Sequence, residues 1–412
     1  LDRSRDEHYV AFVRPGPGTP VTAGDLELRP DPDASWKVET AREGVSAASD
    51  ERRPITDLPP ALDGSILLQP ARDRRHMALL AGGRVWKTHS PSSEIPDQTV
   101  VSLGDDPTRR LVWSWRTAPT VKASVVRIAP ARYQTPEDDP ASPPDLSDVR
   151  EVRGSAEPVR SPGLLNDPVV LRHTVTVDGL EPDTTYYYAV GDGTPRNWGP
   201  WRTVKTGPAR PKRLEFLYLG DAQTGFEGWG ALVTAAYRRH PGMDAILLAG
   251  DLVDRGNERT NWDHFFLRAA PVFDRVPVMP AVGNHEYLDR GPWLYSSTFR
   301  LPGDGPEGVD PGLVYSFRYG DAFFAVLDST SAVMSDAQAD RQAEWLDRAL
   351  ASSREGWKFV MFHHPIYPSH PVRDNPRIRE RWVPVIDRHH VDMVLQGHDH
   401  AYLRTPPMKD HR

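Results

Sequence analysis

The chain is 412 residues long, with 38% apolar and 26% charged residues and a formal net charge of −7. That balance excludes a disordered chain and gives no bulk attraction for nucleic acid, so no nucleic-acid binding is expected; no apolar run is long enough to span a bilayer. There is no cysteine, which excludes disulfides, thiolate zinc sites and a cysteine nucleophile.

Residues 1–95 are rich in Pro, Asp and Arg, with short β-like runs such as SILLQP and HMALLAGG. They read as an irregular β-containing lead segment that carries no chemical motif. Leu1 stands where a leader would begin, and no secretory signal follows it, so the expectation is a removed leader or a trimmed chain. From 96 to 207 the pattern changes to short strands separated by turns: TVVSLG, RLVWSWRT, KASVVRIA, HTVTVDGLEPDTTYYYAV and GPWRTVKT. With no helical run among them, they predict a β-sandwich. A polar insert, 131–168, containing PEDDPASPPD, is expected to be a solvated loop. TGPARPKR, 206–213, reads as a linker.

Beyond it, apolar strand-like runs alternate with helical ones, which predicts an α/β layer architecture over 211–412. LEFLYLG precedes the helical run 226–240, and AILLAG precedes 261–270. VPVMPAVG, LVYSFRYG and AFFAVLDS follow, then the helical run 336–353, KFVMFHH, the helical run 377–390 and VDMVLQG. Trp262 and Phe265 are expected to pack a helix rather than touch a ligand.

Polar residues cluster where these apolar runs end. LYLG leads to Asp221 and Gln223, LLAG to Asp251, PAVG to Asn284, His285 and Glu286, and VLQG to His398, Asp399 and His400. KFVMF ends directly in His363 and His364. Ligand sites of α/β sheets form beyond the carboxyl ends of strands. Two carboxylates, an amide oxygen and several imidazoles meeting there suit zinc, iron or manganese. Cations would also offset the several kcal/mol that each buried, unpaired carboxylate costs. Taken singly, an Asp after Gly is ordinarily a turn or helix cap. The metal reading rests on all five strand ends together.

In this order GDAQ, GDLVDRG, GNHE, FHHP and GHDHAY resemble the motif series of the calcineurin-like metallophosphoesterase superfamily. LGDDPTRRLVWSWRT resembles the N-terminal domain of purple acid phosphatases, DGLEPDTTYYYAV the late part of a fibronectin type III domain, and NWDHFF and GHDHAYLRT the purple acid phosphatases again. The likeness covers roughly residues 96–408. It implies an α/β (α+β, four-layer) sandwich of two mixed sheets flanked by helices, preceded by an all-β fibronectin type III-like sandwich. It also implies a dinuclear centre of Fe, Zn or Mn. Asp221, Asp251 and His400 would hold the first ion, and Asp251, Asn284, His363 and His398 the second, with Asp251 bridging and His364 as the neighbouring alternative to His363. Asp254 would orient His285, the proton donor to the leaving group, and Arg255 would contact phosphate.

The chain departs from the family pattern in three places. Gln223 stands where most relatives have a His ligand, and it could coordinate weakly. Asp254 stands where purple acid phosphatases have a Tyr ligand, so no purple colour is expected. The chain ends at Arg412, where the family continues with strands that complete the second sheet, so C-terminal trimming is expected. His370 is a further candidate for substrate binding.

The resemblance implies hydrolysis of phosphate esters by a metal-bound hydroxide, with a phosphorylated small molecule or protein as substrate and a phosphomonoester first. The alternatives are a phosphodiesterase of cyclic nucleotides or lipid head groups, and a non-catalytic binding module on the same fold. Export to the cell envelope or beyond is implied by the family and the sandwich.

Overall fold

The structure, a computed structural model, describes residues 91–131 and 148–410, apart from 162–163, 165–166, 212, 224 and 289–290, together with the backbone of six short strands before residue 91. The polar stretch PEDDPASPPD lies outside the described residues. The chain divides into two compact units, Leu1–Ser93 with Pro158–Val170, and Glu94–Glu157 with Leu171–Arg412.

In the first unit, β1 (Ala11–Val13), β4 (Ile66–Pro70), β5 (Met77–Ala81) and β6 (Arg84–Lys87) form an antiparallel sheet in the order β1-β4-β5-β6. β2 (Glu27–Pro30) and β3 (Trp36–Glu39) form a separate antiparallel pair. Ser92 donates its N–H and hydroxyl to the Asp167 carboxylate at 2.9 and 2.8 Å.

The second unit begins with an antiparallel sandwich. One sheet holds β7 (Asp97–Leu103), β8 (Leu111–Thr117) and β12 (Val169–Val177), with β11 (Ser155–Arg160) at its edge; the other is β10 (Arg150–Arg153), β9 (Val125–Pro130), β13 (Thr185–Gly191) and β14 (Arg202–Lys205). Trp113, Trp115, Ile128, Val175, Tyr186 and Tyr188 fill the space between them. The Tyr186 hydroxyl accepts the N–H of Glu181 at 2.7 Å, closing the turn that starts β13. β10 and β11 correct the expectation of a loop throughout 131–168. Arg150–Arg153 pairs with Val125–Ile128 along the sheet edge, an exposed and highly polar ladder that hydrophobic periodicity does not reveal.

The remainder is built of two packed sheets. β15 (Phe216–Leu219), β16 (Ala245–Leu248) and β17 (Val278–Pro280) are parallel, and α1 (Phe226–Arg239) and α2 (Arg259–Phe273) belong to the same layer pair. A short helix, α3 (Trp293–Thr298), follows. The second sheet has the order β18 (Tyr315–Tyr319), β19 (Ala322–Val326), β20 (Trp357–Met361), β21 (Met393–Leu395), antiparallel at its first pair and parallel thereafter. α4 (Ser329–Met334), α5 (Asp336–Ser352) and α6 (Pro376–Arg388) bury Trp345, Leu346, Ile378 and Trp382 in one cluster with Phe323, Val360 and Phe362. The sheets meet through Phe216, edge-on to Phe324 at 5.9 Å and to Phe359 at 5.7 Å. Trp262 and Phe265 are fully buried on α2, in line with the sequence reading.

A buried polar seam joins sandwich and α/β layers. Arg116 of β8 pairs with Asp263 of α2 at 2.6 Å, and Gln98 donates to the same carboxylate oxygen at 2.7 Å. Arg172 donates to Gln98, and burial pushes its guanidinium down to about 9.

What positions the site is register. Leu219 pairs with Leu248 and Leu248 with Pro280, while Val326 pairs with Met361 and Met361 with Leu395. The strands of each parallel group therefore finish level, and the residues just past them emerge side by side.

Candidate metal centre

Four of the strand-end residues meet around one nitrogen. His363 Nε2 lies 3.0 Å from Asp251 Oδ2, 3.1 Å from Asn284 Oδ1 and 3.1 Å from His398 Nδ1. Asp251, His363 and His398 each offer a ligand atom within 4.8 Å of the others. His400 Nε2 and Asp221 Oδ1 lie 3.6 Å apart beside this group. Both Asp221 oxygens accept the His398 N–H, at 2.9 and 3.0 Å.

The backbone is bent to deliver these side chains. Nine non-glycine residues among those described have positive φ, and five of them are Asp221, Gln223, Asp251, His398 and His400. Strain of this kind persists where the surroundings fix it and concentrates at functional sites. Gly283 leaves the room required, since a Cβ there would stand 2.2 Å from Asp251 Oδ1.

Hydrogen bonds fix which imidazole presents a lone pair. His363 Nδ1 lies 2.8 Å from the Ala249 carbonyl, which only accepts, so Nδ1 carries a hydrogen and Nε2 is the nitrogen turned to Asp251, where a bound cation would take the place of its proton. For His364 the arrangement is reversed. Ser329 Oγ accepts the N–H groups of His363 and His364 at 3.2 and 2.8 Å, using both its lone pairs. Its own hydrogen goes to His364 Nδ1 at 3.0 Å, which puts the ring hydrogen on Nε2. His364 is thus engaged at one nitrogen and protonated at the other. Burial, with the charges of His363 and His398, pushes it down to about 3.

Burial raises the Asp221 carboxyl; His363 opposes this and the charge of Asp251 adds to it. Burial also raises Asp251, but its hydrogen bond to His363 and that residue's charge carry it below the usual range. The positive charge facing these carboxylates comes from imidazoles. Mixed oxygen and nitrogen donors, two carboxylates and no thiolate form a set that fits a divalent or trivalent first-row cation.

Gln223, an expected weak ligand, is buried and donates its amide N–H to Asp251 Oδ2 at 2.8 Å. His285 is oriented by the Asp254 main-chain carbonyl, 2.7 Å from Nδ1, with the Asp254 carboxylate more distant at 3.4 Å. The structure thus brings the expected pair together, with the main-chain carbonyl of Asp254 the nearer partner and its carboxylate the second. His285 Nε2 stands 3.9 Å from Asp251 Oδ2. Arg255 is 3.8 Å from Glu258 in an i,i+3 ion pair at the start of α2. The His370 ring is exposed, and its carbonyl accepts the Arg373 N–H at 3.0 Å.

Two supporting residues carried no assigned role in the sequence. Glu286 is fully buried and accepts four main-chain N–H groups, from Asp251, Leu252, Val253 and Gly283. Ser329, described above, opens α4. A Glu following Asn-His was the visible signal for the first; nothing local marked the second.

Two packed sheets with carboxylates and imidazoles at their level strand ends define the class as a phosphoesterase fold of the calcineurin-like type. The family model described as calcineurin-like phosphoesterase matches residues 214–402, and that described as purple acid phosphatase, N-terminal domain, matches 96–206. Residues 214–402 thus form a calcineurin-like phosphoesterase domain and residues 96–206 a purple acid phosphatase N-terminal domain. Among curated relatives, purple acid phosphatase 15 of Arabidopsis thaliana is 28% identical over 280 residues, covering 59% of this chain and 51% of that protein. The Fe(3+)-Zn(2+) purple acid phosphatase 12 of the same plant is 28% identical over 254 residues, covering 57% and 52%. An uncharacterised protein of Mycobacterium tuberculosis is 27% identical over 367 residues, covering 80% and 66%. The chain thus spans between about half and two thirds of the length of these relatives. The solved purple acid phosphatase from yellow lupin (Lupinus luteus) seeds shares the fold at a TM-score of 0.63 and 16% identity, covering 95% of this chain and 74% of that one. No helix among the described residues is long and apolar enough to cross a membrane.

Proposed function

We propose that the chain is a metal-dependent phosphatase that hydrolyses phosphomonoesters. One observation carries the reading: Asp251, Asn284, His363 and His398 turn donor atoms toward a common point from four different strand ends. In this reading Asp251, Asn284, His363 and His398 hold one cation, and Asp221, His400 and the shared Asp251 hold another, of iron, zinc or manganese. Such cations supply charge neutralisation at the phosphoryl oxygens and a more acidic water.

The chain's own groups do the rest. The hydrogen bond from His285 Nδ1 to the Asp254 carbonyl turns Nε2 outward, where the protonated ring can give its hydrogen to the departing alkoxide oxygen. Glu286 and the Ser329 hydroxyl keep the Asp251 and His363 backbones from relaxing as the substrate arrives. Arg255 serves at the rim, sharing its charge between Glu258 and an incoming phosphate. His364, with no lone pair to give, is left out of the ligand set, and Gln223 is assigned to the Asp251 carboxylate. The sandwich and phosphoesterase pairing also supports reading the protein as exported.

Purified protein supplied with Mn²⁺ or Zn²⁺ is expected to hydrolyse an aryl phosphate faster than a bis-aryl phosphate, and Asp251→Asn to abolish both. A preference for the diester would overturn the monoesterase reading. Wild-type turnover in Asp251→Asn would overturn the site itself.

A further inference from the structure

His285 is held at three points. Its N–H donates to Asp251 Oδ1 at 2.9 Å, its carbonyl accepts the Gly256 N–H at 2.9 Å, and its ring Nδ1 lies 2.7 Å from the Asp254 carbonyl. The last two holds come from one turn, 254–256, which stands between β16 and α2.

That turn is itself fixed from behind. The Trp262 indole N–H donates to the Gly256 carbonyl at 2.8 Å. On the other side Gly256 lies against the Glu286 backbone, where a Cβ would stand 2.3 Å from the Glu286 carbonyl oxygen. Gly256 therefore carries a bond at each of its polar atoms, one to Trp262 and one to His285. Trp262 is 1% exposed and edge-on to Phe265 at 6.0 Å and to Phe299 at 6.1 Å. The next residue on α2, Asp263, is locked to Arg116 of the sandwich at 2.6 Å. An indole has one donor and no acceptor, and here that donor is committed to the turn.

Resting on the reaction proposed above, we infer that Trp262 is a positioning residue for proton delivery: through Gly256 it sets where the His285 ring stands. His285 gives its Nε2 hydrogen to the ester oxygen as the P–O bond breaks and the bonding pair passes to that oxygen. The need for that proton grows with the basicity of the departing oxygen, so a displaced ring harms alkyl esters more than esters of an acidic phenol. Asp251 and His363 are held by other contacts, with Glu286 and with the Ala249 carbonyl, so the cation site does not depend on the indole.

Steady-state rates on glycerol phosphate and nitrophenyl phosphate, with Mn²⁺ in excess, test this. Trp262→Phe keeps an aromatic ring and removes the N–H. Its kcat on glycerol phosphate should fall by about tenfold or more and on nitrophenyl phosphate by less than about threefold, with KM and Mn²⁺ affinity within about twofold of wild type. Phe299→Leu, which loosens the same packing and keeps the N–H, should affect the two esters equally. Replacing the Trp262 indole with benzothiophene, a ring of the same shape with sulfur in place of N–H, should reproduce the selective loss and covers a failure of Trp262→Phe to fold. Equal losses on both esters in the Trp262 variants, an unchanged rate on glycerol phosphate, or the same selective loss in Phe299→Leu would overturn the inference and leave the phosphatase reading standing. No hydrolysis of either ester by the wild type would overturn that reading and the inference with it.

Discussion

The Glu286 carboxylate lies directly behind Asp251, accepting its main-chain N–H at 2.9 Å. The same carboxylate takes the N–H groups of Leu252, Val253 and Gly283 at 2.8, 3.3 and 2.7 Å, so one buried side chain ties the turn after β16 to the turn after β17. Glu286→Ala strands four buried donors at once. Each buried N–H left without its acceptor costs about 1–3 kcal/mol, and the loss, softened by water entering the gap, should reach at least about 3 kcal/mol in urea unfolding of the metal-free protein. Glu286→Gln, which keeps one acceptor oxygen, should fall between the two. An unchanged unfolding midpoint in Glu286→Ala would show that the turns hold themselves.

The adjacent imidazoles should behave oppositely toward cations. His363 can yield Nε2 to a cation because the Ala249 carbonyl holds the Nδ1 hydrogen, whereas His364 keeps an N–H at Nε2 because Ser329 occupies its Nδ1. His363→Ala is expected to lower Mn²⁺ affinity by about a hundredfold or more, equivalent to about 3 kcal/mol, and His364→Ala by less than about tenfold. Equilibrium dialysis reads both. Equal losses would mean that the tautomers are assigned wrongly.

The seam between sandwich and α2 predicts a large stability effect far from the centre. Asp263 receives Arg116 and Gln98, and Gln98 in turn receives Arg172. Removing a partner from a buried ion pair typically costs about 3–5 kcal/mol, and Asp263→Ala should show a loss of that order in chemical unfolding. Asp263→Asn should lose less, since it retains an acceptor for each donor. A loss below about 1 kcal/mol in Asp263→Ala would mean that solvent reaches these guanidinium groups.

His173 gives the sandwich an acid-sensitive element. Its ring is fully buried, stacked on Trp115 at 5.1 Å, with nitrogens 2.7 Å from Thr117 Oγ1 and 2.8 Å from Ser124 Oγ. Burial, aided by Arg172, pushes it down from 6.5 to about 4. Between those values the unfolded chain binds a proton that the folded chain refuses. Stability is therefore full above about 6.5 and declines as pH falls toward about 4, by a total of roughly 3 kcal/mol from this group. Thermal melts of wild type and His173→Gln across that range measure it. The variant should show a shallower decline, and parallel curves would refute the assignment.

Much of this architecture was legible because it is written locally. The helical runs read at 226–240, 261–270, 336–353 and 377–390 correspond to α1, α2, α5 and α6, whose apolar stripes are long enough to show a period. α3 and α4 have six residues each, too few for a stripe; α4 is set by the Asp328 side chain accepting the Ser331 N–H. The strand-end residues stood out because an apolar run gives way to charge within one or two positions. That these ends lie level depends on pairing between strands distant in sequence, such as Val326 with Met361, and no local pattern encodes it. The roles of His363 and His364 could not be separated in the sequence for the same reason. They depend on Ala249 and Ser329, which lie 114 and 35 residues away from their partners.

Anomalous diffraction from crystals grown with Mn²⁺ tests the central claim most directly. The account predicts one peak in contact with Asp251, Asn284, His363 and His398, and a second beside Asp221 and His400. Peaks confined to other surfaces, with the strand-end side chains left uncoordinated, would contradict it.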